Sequence, residues 1–197
     1  MHTTTDNPAF SIIVPIYQAT NSVAELVTRT TTLFDDKMKE SFEIILIDDG
    51  STHPETWPLL TTLAQADSRV RAIRLMRNYG KPAAVLCGFS HARGDWIVTI
   101  DDDLQQSPED IAALAELRDH DVVVASYRDK KYSGTVKLTS RIKALFDIHL
   151  LRLPMPMSPL KLIRRRIVDE IVKTRSGRPH IPAMLAHITR DFKAVPC

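Results

Sequence analysis

DWIVTIDDDLQQSPED, residues 95–110, holds a short apolar run, three consecutive carboxylates and a helix start in close succession. The run over residues 95–100 is rich in β-branched and aromatic side chains and too short for a helix, so it reads as a buried strand. Ser107-Pro108-Glu109-Asp110 then reads as a helix N-terminus, with a Ser cap, Pro at the first helical position and acids in the first turn. The same order of strand, polar turn and helix recurs outward from this stretch. Residues 42–47 (FEIILI) run into Asp48-Asp49-Gly50-Ser51, and a helix is expected from 54 to 66. Residues 10–17 (FSIIVPIY) form a first strand, followed by a helix whose Ser22 and Glu25 stand at capping-box spacing. Residues 70–75 and 122–126 supply two further strands, and residues 81–91 read as a helix closed near Gly94. Short apolar strands alternating with helices predict an α/β fold: a doubly wound, mostly parallel sheet with helices on both faces and right-handed crossovers.

The whole chain, residues 1–197, reads as one domain with two unlike halves. Charged residues make up 25% and hydrophobic residues 44%, an ordinary globular balance. The net charge of +2 conceals a division, however. Residues 1–127 carry 10 Lys+Arg against 19 Asp+Glu, whereas residues 128–197 carry 16 against 5. Such a basic segment suits an anionic partner, either phosphate or lipid headgroups. Within it, residues 136–150 have the pattern of a basic amphipathic helix, which can cover the sheet or lie in a membrane interface. Arg164, Arg165 and Arg166 form the cluster expected to meet anionic lipid. A short helix over 165–173 and a last strand over 188–195 complete the expected elements. The start of the chain lacks the pattern of a signal peptide, and no apolar run reaches the length of a membrane span. Cys87 and Cys197 form neither a metal-type pair nor a disulfide framework, in keeping with a reducing compartment.

In a doubly wound sheet, ligands bind at the carboxyl ends of the strands. Three polar clusters fall there: Pro15 and Tyr17, Asp48 and Asp49, and Asp101-Asp102-Asp103. Each alone is weak, because acidic turns after strands are common. Their convergence on one edge is more informative. Three adjacent carboxylates repel one another unless a cation or solvent relieves them. If the segment is extended, Asp101 and Asp103 point the same way and offer two hard oxygen ligands, suited to Mg²⁺ or Mn²⁺.

Taken in order, VPIY, IDDGS, RNYGK, GFSHARGD and TIDDDLQQSPE resemble the family 2 glycosyltransferases of GT-A fold, and among these the dolichyl- and polyprenyl-phosphate sugar transferases. The resemblance runs from residue 10 to about residue 128, with a weaker continuation. It implies that residues 10–128 form the nucleotide-sugar-binding half and residues 129–197 an acceptor- and membrane-facing half. Pro15 and Tyr17 would line the base pocket, and Asp49, with Asp48, would bond the base or ribose. Asn78, Gly80 and Lys81 match an N-x-G-K element beside the nucleotide. Asp101 and Asp103 match the D-x-D pair that binds metal, with Asp102 beside the nucleotide and Gln105 as a further polar group near the metal. Arg128 matches an arginine near the diphosphate. The implied reaction is inverting, metal-dependent transfer of a sugar from a UDP- or GDP-sugar to a polyprenyl phosphate, at the cytoplasmic face of a membrane. No nucleic acid is implied, and a homo-oligomer or a membrane partner stays open.

Two departures from the family pattern matter. Where the family has D-x-x-S/G-x-F-R/K-L, this chain has Met155-Pro156-Met157-Ser158-Pro159-Leu160-Lys161-Leu162, so the acidic position is occupied by Met155. A sugar hydroxyl acceptor usually needs a positioned base, whereas a phosphate oxygen is already anionic, so the change favours a phosphate acceptor. Relatives also typically continue into an H-x-x-R-x-x-G-x-S-x-Y element, so the second half is expected to be shortened. Transfer to a sugar hydroxyl in polysaccharide or lipopolysaccharide synthesis, and a non-catalytic nucleotide-sugar-binding subunit, are the competing readings.

Overall fold

Seven strands form one sheet in a computed structural model that describes residues 7–18, 22–127, 157–174, 176–177 and 179–197. In chain order the elements are β1 (Phe10–Ile16), α1 (Ser22–Thr32), β2 (Phe42–Asp48), α2 (Thr56–Ala66), β3 (Val70–Arg74), α3 (Lys81–His91), β4 (Trp96–Thr99), α4 (Asp110–Ala115), β5 (Val122–Ser126), β6 (Lys161–Arg164), α5 (Arg165–Lys173), α6 (Ile181–Ile188) and β7 (Phe192–Pro196). The sheet order is β3-β2-β1-β4-β6-β5-β7. All pairings are parallel except those of β6, which runs antiparallel between β4 and β5.

Alternation along the strands sorts the core into two layers. Phe10, Ile12, Val14 and Ile16 of β1, with Ile44 and Leu46 of β2, pack on the side of α1, α2 and α4, against Leu26, Leu60 and Ile111. Ile13, Ile45 and Ile47 face the other way, onto Val85 and Phe89 of α3, and the same layer holds Val168 of α5 and Leu185 of α6. Both faces of β1 and β2 are buried throughout, which is why these strands read as continuous apolar runs.

The expected α/β architecture is therefore present, with four departures. After α1 the chain makes a π-type turn over Leu33–Met38 that ends at Lys39 in the left-handed region, φ 55°. Helix α4 starts at Asp110 rather than at Pro108, and Ser107, the expected cap, bonds the Glu109 carboxylate. Residues 181–188 form a helix, and the last strand begins at Phe192 rather than at 188. Finally, β6 is an unforeseen antiparallel strand. The expected helix over 136–150 lies outside the described residues.

Strand β6 also reassigns the arginine cluster. Its register pairs Lys161 with Thr99 and Arg164 with Trp96. Lys161 thus stands at the carboxyl edge of the parallel strands, and Arg164 at the opposite edge. There the three arginines hold the fold together. Arg164 donates to the Arg118 carbonyl at 2.8 Å, Arg165 to the carbonyls of Gly94 (2.8 Å) and Ala92 (3.0 Å), and Arg166 to the buried Asp121 at 2.6 Å. Their guanidinium groups are engaged with carbonyls and a carboxylate of their own chain, while the Arg166 side chain stays 69% exposed.

A second tie at that edge is Glu43, which is 1% exposed. Its carboxylate accepts bonds from Ser11 Oγ (2.8 Å), Arg93 N (2.8 Å), Arg93 Nε (3.0 Å) and Arg71 Nη1 (3.1 Å). Burial would raise its pKa, but the bonds from Arg93 and Ser11 outweigh this and hold it below its ordinary value of 4.5. A depressed folded-state pKa means stability that is present above pH 4.5 and lost as pH falls through the folded value. Glu43→Gln is expected to cost on the order of 2 kcal/mol at neutral pH. In urea melts the gap between variant and wild type should close on acidification below pH 4.5; a gap unchanged at pH 3 would refute the assignment.

Candidate active site

Two loops meet at the carboxyl edge beside β1, and Asp49 joins them. It follows β2, is 3% exposed, and accepts Tyr79 N at Oδ1 and Gly80 N at Oδ2, each at 2.8 Å. Asn78 Oδ1 adds a bond from Gly80 N at 2.9 Å. Gly80 has φ 91°, and its carbonyl accepts the Ala83 and Ala84 amides that open α3. Gly50 has φ 66°, and a Cβ there would lie 2.3 Å from the Arg77 carbonyl carbon, so only glycine allows the two loops to approach. Asp48 is fully buried; Oδ1 accepts Ser51 N at 2.8 Å, and Oδ2 lies 3.2 Å from Arg74 Nε. On the β1 side, Gln18 has φ 58° and its side chain grips the 51–53 loop, donating to Thr52 Oγ1 and accepting His53 N, both at 2.8 Å. This fixes Tyr17, whose side chain remains largely in solvent at 49% exposure.

Lys81, at the start of α3, reaches across to β4 and places Nζ 2.6 Å from the Asp101 carboxylate. A cavity of about 150 Å³ lies at this junction, lined by Pro15, Ile16, Tyr17, Asp49, Lys81, Asp101 and Asp102. Burial, helped by the charges of Asp101 and Asp103, pushes the Asp102 carboxyl up to about 6. Beyond Asp101 the chain turns instead of extending, so the side-chain alternation expected to align Asp101 with Asp103 does not apply. Asp103 is exposed and its Oδ1 accepts Gln105 N at 3.0 Å; Leu104 between them is held at φ 57°. From α1, Arg29 grips the far end of the turn, donating to both oxygens of Glu109 (3.0 and 2.6 Å) and to Ser107 Oγ (3.0 Å). The Arg29 bond holds the Glu109 carboxyl down at about 2.

A profile of glycosyl transferase family 2 matches residues 11–172. The chain belongs to this family. Among curated proteins it is 33% identical over 198 residues to the undecaprenyl-phosphate 4-deoxy-4-formamido-L-arabinose transferase of Salmonella choleraesuis, an alignment covering 94% of this chain and 58% of that protein. The Erwinia tasmaniensis protein of the same name is 31% identical over the same coverage. The chain thus spans little more than half the length of the curated relatives it matches. Among solved structures, the mannosyltransferase PcManGT of Pyrobaculum calidifontis, in complex with GDP-Man and Mn²⁺, superposes with a TM-score of 0.67 at 16% identity, over 98% of this chain and 56% of that one. Glucosyl-3-phosphoglycerate synthase of Mycobacterium tuberculosis gives 0.68 at 18% identity, over 96% and 70%. The fold is that of the GT-A glycosyltransferases.

Of the residues singled out from sequence, Pro15, Tyr17, Asp49, Lys81, Asp101 and Asp102 share the cavity wall. Asn78 and Asp48 bond the loops beside it, while Asp103 and Gln105 are exposed and are not among the residues of the cavity wall. Arg128 and Met155 fall outside the described residues. Lys161 and Thr99, which sequence reading gave no role, lie at the same edge. As a metal site the acidic turn is partial: among the described residues no three His, Cys, Asp or Glu side chains converge on one point. Its oxygens are nevertheless the hard donors that Mg²⁺ and Mn²⁺ favour, and a cation would offset the charges of Asp101 and Asp103 that add to the burial of Asp102. The residues fit an ion that takes one or two carboxylates and fills its shell with substrate oxygens and water.

Both Asp49 oxygens accept backbone amides, so Asp49→Asn sets an NH₂ donor against an N–H donor. The variant should lose about 1–3 kcal/mol in urea unfolding despite its matching size. Unchanged stability would show that the loops do not depend on this carboxylate.

Proposed function

We propose that this domain transfers a sugar from a UDP- or GDP-sugar to the phosphate of a polyprenyl phosphate, with inversion, assisted by Mg²⁺ or Mn²⁺. The observation that carries this reading is the junction of Tyr17, Asp49, Lys81 and Asp101 around one cavity, in a chain with undecaprenyl-phosphate sugar transferases among its relatives. The exposed ring of Tyr17 offers a stacking face for a nucleobase. The Asp49-braced loop forms the floor beneath it. Lys81, 52% exposed and bound to a single carboxylate, is a cation that can turn to a diphosphate. A divalent ion bound beside Asp101 would supply further positive charge to the same diphosphate.

In the proposed step an anionic phosphate oxygen of the acceptor attacks C1 of the sugar. The new C1–O bond forms as the bond to the nucleoside diphosphate breaks, and its electron pair leaves with the diphosphate. One displacement inverts C1. No proton need be removed from the acceptor, which accommodates the methionine at position 155. Lys81 stabilises the charge that grows on the leaving diphosphate. The basic composition of residues 128–197 suits an acceptor held at the cytoplasmic face of a membrane. No helix among the described residues is long and apolar enough to cross one.

We assign the metal to Asp101 with Asp103, the latter through the oxygen that does not hold Gln105 N. Thermal midpoints with UDP- and GDP-sugars, with and without Mn²⁺, test this. A ligand at a hundredfold excess over its Kd should add about 2.7 kcal/mol of stability. Asp101→Asn and Asp103→Asn should each weaken Mn²⁺-dependent binding roughly tenfold or more, about 1.4 kcal/mol, and Asp102→Asn should weaken it less than either. Loss in Asp102→Asn with retention in Asp103→Asn would move the metal to the Asp101–Asp102 pair. Absence of binding to any nucleotide sugar would overturn the reading itself.

A further inference from the structure

Lys161 is a buried cation that forms no ion pair with a carboxylate among the described residues. Its residue is 8% exposed. The ammonium donates to Thr99 Oγ1 at 3.2 Å and to the Pro159 carbonyl at 3.0 Å, and among the described residues no carboxylate forms an ion pair with it. Thr99 Oγ1 in turn donates to the same carbonyl at 2.7 Å, which orients its lone pairs toward the lysine. Two of the three N–H groups are thereby used and one is left over. Burial, reinforced by the nearby charge of Lys81 and opposed by Asp101, pushes the amine down to about 8, so it still carries its charge at neutral pH. An isolated buried cation is costly, by several kcal/mol, unless an anion arrives to compensate it.

The place where an anion can arrive is adjacent. A second cavity, of about 380 Å³, is lined by Lys161 and Thr99 together with Pro82, Val85, Met157 and Ile181. Lys81, Asp101 and Pro15 also border it, and these three are shared with the 150 Å³ cavity. The Lys81–Asp101 pair is therefore a partition, with the nucleotide cavity on one side and a mostly apolar cavity containing a buried ammonium on the other. Apolar walls with one embedded cation match an amphiphile whose head is a phosphate and whose body is hydrocarbon.

We infer that the Lys161 cavity seats the acceptor, with its phosphate on the Lys161 ammonium and its first isoprene units against Met157, Val85 and Ile181. This rests on the proposed function and assigns to one of its substrates a place and a binding residue. Lys161 acts there as a binding cation, delivering the phosphate oxygen to the side of the partition facing C1. The same ammonium could instead serve the donor's diphosphate, and the test separates the two.

Lys161→Met keeps an unbranched side chain, one atom shorter, and removes the charge. Because the buried cation costs stability, the variant should melt at or above the wild-type midpoint. With farnesyl phosphate as acceptor, KM should rise tenfold or more, with kcat changed less. The Kd for UDP or GDP with Mn²⁺ should stay within twofold, and Lys161→Arg should recover part of the loss. In the wild-type chain without nucleotide, farnesyl phosphate should raise the melting midpoint and farnesol should not. A wild-type KM for farnesyl phosphate in Lys161→Met would overturn the inference and leave the transferase reading intact. Loss of nucleoside diphosphate binding in Lys161→Met would assign the ammonium to the donor and equally overturn it. Equal shifts with farnesyl phosphate and farnesol would remove the phosphate from the argument even if the variant failed to fold. Wild-type protein that transfers sugar to no acceptor would instead count against the proposed function.

Discussion

The ion pair of Lys81 with Asp101 joins the start of α3 to the residue just beyond β4, across the end of β1. At half exposure such a pair contributes little to stability, typically under about 1 kcal/mol. Its importance is positional. It divides the carboxyl edge into two chambers and gives each an ionisable wall that a ligand can displace. The rest of the site keeps the partners in reach. Asp49 and Gly50 hold the 77–80 loop against β2, which sets where α3 begins. Arg29 grips Glu109 and Ser107, which sets where the acidic turn ends. A rigid frame around a weak, exchangeable contact is suited to binding charged substrates, because the contact yields while the frame does not.

The two edges of the sheet use charge in opposite ways. At the edge away from the cavities, Glu43 and Asp121 are buried but fully engaged, by Arg71 and Arg93 in one case and by Arg166 and Thr189 in the other. Each charge there has a partner within the chain. At the carboxyl edge the balance is incomplete among the described residues: Asp102 is half-buried beside Asp101 and Asp103, and Lys161 is buried without an ion-pair partner. Unbalanced charge of both signs, a few residues apart in space, is unfavourable for folding alone and favourable for a substrate that brings a diphosphate and a cation.

The alternation of strands and helices was legible because β1 and β2 are buried on both faces and carry unbroken apolar runs. Helix α3 and strand β5 were legible to the residue, since Gly80 and the flanking polar residues punctuate them. The acidic turn was legible as a site but not in its geometry. Side-chain alternation holds only while the backbone stays extended, and after Asp101 the chain turns, with Leu104 in the left-handed region. Helix α4 started late for a similar reason: Glu109 was read as a first-turn acid, but Arg29, 80 residues away in sequence, captures it together with Ser107. No local pattern announces such a partner.

Strand β6 was hidden by its brevity and by its charged ends, since Lys-Leu-Ile-Arg between a Pro-rich segment and a helix offers no alternation to detect. Yet it sorts the cations of residues 161–166 between the two edges of the sheet. Being antiparallel, it carries residue 161 to the ligand edge and residue 164 to the far edge within a single four-residue strand. Composition counts these side chains as one positive segment, whereas the sheet gives them opposite duties. Arg164, Arg165 and Arg166 bond carbonyls and Asp121 at the far edge, whereas Lys161, among the described residues, brings a positive charge to the cavity edge. Within residues 161–164, register rather than composition decides which cation stands at the ligand edge.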